Sequence, residues 1–208
     1  WLVHEPVITL GRRGRRTGLL RAPDELRAMG VEVHVASRGG DATYHGPGQW
    51  VVYPILRLGG VAADAHGHLW NLEELSIRTC RDFGVSAWRR AGMSGAWTAQ
   101  GKIAAIGFHI KRWVTLHGTS FNVDPQPNGF DWIIPCGLRG EPVASLRQCL
   151  GADAPTMPMV ADRLMANFEQ VFGRRLLVWR DRDPLPDELT RVLGVPYADA
   201  APAVADGL

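Results

Sequence analysis

The sequence predicts an α+β single domain. Strand-like segments lead the chain, two segments with helical apolar spacing are interspersed among them, and no internal repeat breaks the order. With 208 residues, 46% of them apolar, the chain holds enough material for one sizeable core and lies near the usual size of one domain. The domain is expected over residues 1–180. The segment 181–208, rich in Pro, Ala and Asp, reads as a loosely held tail.

Each element has a local cause. Val3 to Leu10 mixes β-branched residues with a proline and stops at Gly11, as an edge strand would. Val31 to Ala36 alternates Val31, Val33 and Val35 against Glu32, His34 and Ala36, the period of a strand with one buried face. Trp50 to Leu56 is a continuous apolar run suited to an interior strand, and a glycine-dense loop fills residues 38–49. From Asp64 to Phe83, Leu69, Leu72, Leu75, Ile77, Cys80 and Phe83 recur at helical intervals, with Gly84 as the stop. Short strands follow at Ala96 to Ala99 and Lys102 to Ile110, joined by a turn at Gln100 and Gly101, and a further strand at Leu116 to Val123. A loop then runs from Asn128 through Pro135, Cys136 and Gly137. A second amphipathic helix spans Met159 to Phe172.

Composition excludes several classes. The formal net charge of +2 is too small to make nucleic acid or an anionic membrane the default partner. Arg12, Arg13, Arg15, Arg16 and Arg21 nevertheless crowd one stretch, either as a solvated loop or as a surface that steers an acidic partner. Three cysteines, none in a C-x-x-C pair, fit neither a disulfide framework nor a zinc site. A reducing, cytoplasmic setting is expected. No apolar run reaches the roughly 20 residues that cross a bilayer.

Three features could carry chemistry. Arg38 to Gln49 packs four glycines beside Arg38, Thr43, Tyr44 and His45, so backbone can approach a ligand closely. Gly48 is followed by Gln49 and Trp50, where a phosphate-binding loop would carry Lys-Ser or Lys-Thr, so nucleotide binding is unsupported. Cys136, set between Pro135 and Gly137 on a turn, is the candidate nucleophile; Cys80 and Cys149 look like ordinary core or capping positions. Lys102 leads a strand of small apolar residues and, turned inward, would favour a nearby thiolate.

Together these segments resemble the octanoyltransferase family of protein lipoylation. The matching motifs are RGGDATYHGPGQWVVYP at 38–54, GKIAAIGFHI at 101–110, TLHGTSFNV at 115–123, and IIPCGL with VASL over 133–146. The resemblance implies a mixed β-sheet flanked by helices, similar to the catalytic domain of biotin and lipoate protein ligases. It also implies a strand and helix ahead of LVHEPVITLG that this sequence does not contain.

In function, the resemblance implies an acyltransferase in which Cys136 carries the acyl thioester and Lys102 lowers its pKa. Substrate contacts carry over to Arg38, Gly39, Gly40, Asp41, Ala42, Thr43, Tyr44 and His45, to Ala105, Ile106 and Gly107, and to Gly118, Thr119 and Ser120. Tyr44, Ile106, Phe108, Phe121 and Ile134 are candidate walls for the acyl chain. His45 either shares the proton transfer or braces its loop. No cofactor and no metal is expected, because the octanoyl group arrives on the phosphopantetheine arm of acyl carrier protein. The expected acceptors are the lipoyl domains of 2-oxoacid dehydrogenases and the glycine-cleavage H protein, met by a monomer. A cysteine-dependent thioesterase or an ATP-dependent lipoate ligase relative is the alternative.

Overall fold

The computed structural model describes residues 1–14, 18–59, 64–127, 129–135 and 140–178. The chain divides into a unit Trp1–Arg174 and a second, Arg175–Leu208. The expected tail lies outside the described residues, as do Arg15, Arg16 and Cys136. The described strands and helices all belong to the first unit.

Two sheets build it. The smaller has three strands in the order β2 (Glu32–Val35), β1 (Val7–Leu10), β3 (Ala42–His45). β1 runs parallel to β2 and antiparallel to β3, with Thr9 opposite Thr43 and Val7 opposite His45. β1 is therefore central, not the edge expected from its proline. Pro6 stands just ahead of the strand and removes no ladder bond. The edges are β2 and β3, and the alternation of β2 fails at its end: Val35 is 85% exposed. The glycine-dense segment read as a loop contains β3, whose four residues are all buried. Alternation then divides this sheet's two faces. Ile8, Leu10, Ala42 and Tyr44 pack with Leu26, Val31, Phe130 and Ile133 in one apolar cluster, while Thr9, Thr43 and His45 face the other way.

The larger sheet has the order β4 (Gln49–Val52), β8 (Val114–Asn122), β7 (Gly101–Lys111), β6 (Met93–Thr98), β5 (Trp88–Arg90), antiparallel throughout. β4 is a short edge strand rather than the interior strand expected over Trp50 to Leu56. β7 and β8 form a long hairpin from Lys111 opposite Val114 to Ala104 opposite Phe121. Arg112 and Trp113 at its tip both take positive φ, 51° and 62°, as a two-residue hairpin turn demands.

Helix α2 (Ala65–Asp82) begins where Asp64 accepts hydrogen bonds from the backbone N–H groups of His66 and Gly67. It ends at Gly84, with φ of 74°. Leu72, Leu75 and Cys80 are fully buried on its inner stripe. Burying each leucine contributes about 1.5–3 kcal/mol. α2 packs on β6 and β7 and on helix α4 (Met157–Phe172), and Asn167 ties the helices by bonding Thr79 and Asp82. Two short helices, α1 (Pro23–Ala28) and α3 (Leu146–Leu150), carry too few apolar positions for a helical period to be read from sequence.

Candidate functional site

A cavity of about 510 Å³ is walled by strands of both sheets. Its size and mostly apolar lining with a few convergent polar groups suit a small ligand. Arg38, Gly40, Asp41, Ala42, Thr43 and His45 line it, together with Ala105, Ile106 and Gly107 and with Gly118, Thr119 and Ser120. Three stretches far apart in sequence thus converge on one space, as the motifs suggested.

Gly39 and Tyr44 are not part of the wall. Gly39 holds the loop in place, its N–H donating to the Phe108 carbonyl at 3.0 Å. Tyr44 points into the opposite, fully buried cluster, edge-on to Phe130 and Trp132. Of the other expected wall residues, only Ile106 lines the cavity. Phe108 stacks edge-on with His68 at 4.9 Å, Phe121 is core, and Ile134 donates its N–H to the Gly18 carbonyl.

Arg38 is nearly buried, which requires acceptors for its guanidinium. It donates from Nε and Nη2 to the Thr9 hydroxyl, at 3.1 and 2.8 Å, from Nη2 to the Thr9 carbonyl, and from Nη1 to the Gly39 carbonyl. Gly107 leaves room for this loop: a Cβ there would stand 3.2 Å from Arg38 Cδ.

The cavity also gathers His4, Tyr53 and His117, which sequence reasoning missed. His4 Nε2 and the Tyr53 hydroxyl lie 2.9 Å apart, and the His4 and His45 rings are 5.4 Å apart. His117 reaches the cavity through a left-handed backbone, φ 61°, inside a strand. Such a residue stores about 1–3 kcal/mol of strain, and no periodicity reveals it. Its Nε2 meets the Ser37 hydroxyl at 2.9 Å. Burial lowers the pKa of His4 and His117, with Arg38 adding to the effect at His117. Burial pushes His45 down to about 4, helped by His4, Arg38 and His117 and opposed by a hydrogen bond to Gln49. The imidazoles of His4, His45 and His117 are therefore neutral at neutral pH, beside the Arg38 guanidinium, in a cavity that Glu5, Glu32 and Asp41 also line. Thr43 Oγ1 is buried there without a hydrogen-bond partner among the described residues.

Lys102 lies outside the cavity wall. It is buried at the start of β7, with Nζ 4.9 Å from the centre of the Trp97 ring. Its backbone N–H bonds the Pro142 carbonyl and its carbonyl accepts from the Ala144 N–H, both at 2.9 Å. The segment that follows Cys136 in sequence therefore returns alongside Lys102. Among the described residues, no cluster of three His, Cys, Asp or Glu side chains could hold a metal ion. Nor is any described helix long and apolar enough to cross a membrane.

The sequence model of the lipoyl protein ligase A/B catalytic domain matches residues 1–169. The chain belongs to this family. An octanoyltransferase from Caldicellulosiruptor saccharolyticus is 44% identical over 176 residues, covering 84% of this chain and 74% of that protein. The fold of the lipoyl ligase family recurs in solved structures. A bi-partite lipoate protein ligase from Thermoplasma acidophilum superposes with a TM-score of 0.63 at 15% identity, covering 94% of this chain and 79% of that one. Biotin protein ligase from Aquifex aeolicus, in complex with biotin and ATP, does so with 0.51 at 9% identity, over 79% and 70%. The expected α+β architecture, a mixed sheet system flanked by helices and similar to the ligase catalytic domain, is thus the one observed.

Proposed function

We propose that this chain is an octanoyltransferase of protein lipoylation that carries the acyl group on Cys136, with Lys102 holding the thiolate. The observation that carries the reading is the cavity walled by Arg38 to His45, Ala105 to Gly107 and Gly118 to Ser120. Its relatives named octanoyltransferase, at 44% identity over most of the chain, support the same activity.

The chemistry suits the surroundings. The Cys136 thiolate attacks the octanoyl thioester on the phosphopantetheine arm of acyl carrier protein, and the pantetheine thiol leaves. The acyl group then passes to a lysine amine on a lipoyl domain, of a 2-oxoacid dehydrogenase or the glycine-cleavage H protein. Neither ATP nor a metal ion is consumed in this scheme. About seven methylenes at about 0.8 kcal/mol each give on the order of 5 kcal/mol, enough to hold the chain in an apolar cavity. Lys102 is buried on the strand that receives the segment following Cys136, a placement that supports its role beside the thiolate. Cys80 and Cys149 are free thiols, which fits work in the reducing cytoplasm.

Intact-protein mass spectrometry after incubation with octanoyl carrier protein tests the reading. Wild type should gain one octanoyl group that persists until a lipoyl domain is added, and Cys136→Ala should gain none. An adduct retained by Cys136→Ala, or rapid release of free octanoate without acceptor, would sink it.

A further inference from the structure

We infer that Gln49 and Asn122 are positioning residues that hold His45 with its proton on Nδ1, so that Nε2 offers a lone pair to the cavity and takes the proton released when an amine receives the acyl group. The proton-transfer half of this inference rests on the acyl-transfer reading above.

A backbone carbonyl fixes the first amide. The Ala144 oxygen can only accept, so the Asn122 group 3.0 Å from it is the amide Nδ2. Asn122 Oδ1 is thereby turned toward Gln49, and it accepts from Gln49 Nε2 at 2.8 Å. The second Nε2 hydrogen goes to the Tyr44 carbonyl at 3.2 Å. Gln49 Oε1 is left facing His45 Nδ1 at 2.7 Å, and an amide oxygen can only accept. Nδ1 must therefore carry the hydrogen. Turning either amide over would set oxygen against oxygen, at Ala144 in one case and at both Tyr44 and Asn122 in the other. Gln49 is wholly buried, and Asn122 and His45 are 3% and 7% exposed, so bulk water does not stand in for a lost partner.

A neutral imidazole with its proton on Nδ1 has its lone pair on Nε2. Three positive or titratable neighbours face His45: His4 from the N-terminal segment, Arg38 from the loop before β3, and His117 from β8. With burial they keep the ring neutral at pH 7. The hydrogen-bond chain also ends beside Lys102, because Ala144 N–H bonds the Lys102 carbonyl. One chain of hydrogen bonds thus runs from the His45 ring to the Lys102 backbone.

In the transfer step a neutral amine attacks the thioester carbonyl and the C–N bond forms. The C–S bond breaks with its electron pair going to the Cys136 sulfur. The surplus N–H proton passes to His45 Nε2 and from there to water, which leaves the sulfur as the thiolate that Lys102 holds in the proposed scheme.

Long-range proton–nitrogen NMR on the full chain with labelled histidine tests the tautomer directly. At pH 7, His45 should show a pyrrole-like Nδ1 and a pyridine-like Nε2, and Gln49→Met should lose that preference. Aminolysis of preloaded acyl-enzyme by a lipoyl domain should slow by about 100-fold in His45→Asn and by about tenfold or more in Gln49→Met. A wild-type ring protonated on Nε2 overturns the assignment whatever the variants do. Unaltered aminolysis in His45→Asn overturns the proton-transfer role. Failure of wild type to form any acyl-enzyme would instead remove the acyl-transfer reading, and the NMR result would still decide the tautomer.

Discussion

The carbonyl oxygen of Gly39 lies 2.7 Å from where a Cβ on Gly107 would stand. Gly39 lies in the loop between β2 and β3 and Gly107 within β7 of the other sheet, and the Gly39 N–H donates to the carbonyl of Phe108, the neighbour of Gly107. The absence of a side chain at residue 107 therefore sets how closely the Arg38 loop approaches β7.

Gly107→Val should push that loop off the strand and carry Arg38 with it. A stability loss of about 1–3 kcal/mol is expected from overpacking, read as a lower urea midpoint. Octanoyl transfer should fall much further, because the displaced loop forms a wall of the cavity. Wild-type transfer rates in a folded Gly107→Val protein would show that this contact does not shape the site.

Acid should destabilise the fold through His45. Its folded pKa of about 4 lies below the usual 6.5, so between these values the unfolded chain binds more protons. Stability is fully present above pH 6.5 and is lost as pH falls toward 4, by roughly 3 kcal/mol from this residue. His68, also pushed down to about 4 by burial, adds in the same direction. Urea midpoints from pH 7 to pH 4 check the slope, and His45→Asn should flatten it.

Tyr44→Phe should leave octanoyl transfer unchanged and stability unchanged or raised by up to about 2 kcal/mol. Its hydroxyl is buried without a partner among the described residues, so removal relieves a desolvation penalty. Tyr44→Ala, in contrast, should cost about 3–5 kcal/mol by emptying the cluster around Phe130. Denaturant titrations of both variants, with transfer assays alongside, separate core from cavity. A large activity loss in Tyr44→Phe would return the hydroxyl to the site.

The two long helices are legible in the sequence because their apolar stripes repeat over four or more turns, and Asp64 and Gly84 mark the limits of α2 chemically. β3 is not, because Arg38 to Gln49 reads as turn chemistry while the burial of Thr43 and His45 comes from partners distant in sequence. The cavity's three motif stretches can be read from their residues. Thr9 is accessible in principle from the two-residue period of β1, but His117 depends on a backbone conformation that carries no sequence signature. Gln49 lies inside the glycine-rich motif, yet its role emerges only through bonds to Asn122 and Ala144.

The segment leading up to Cys136 is fastened at one side by Leu20 to Trp132 and Gly18 to Ile134 hydrogen bonds, while Lys102 binds the segment that comes after it. Both fastenings join residues remote along the chain, so each carries a loop-closure cost that the β7–β8 hairpin does not. The hairpin can zip locally from its Arg112 and Trp113 tip. The two flanks of the stretch that supplies the proposed nucleophile are therefore anchored by contacts that only a chain already brought together across long sequence separations can make.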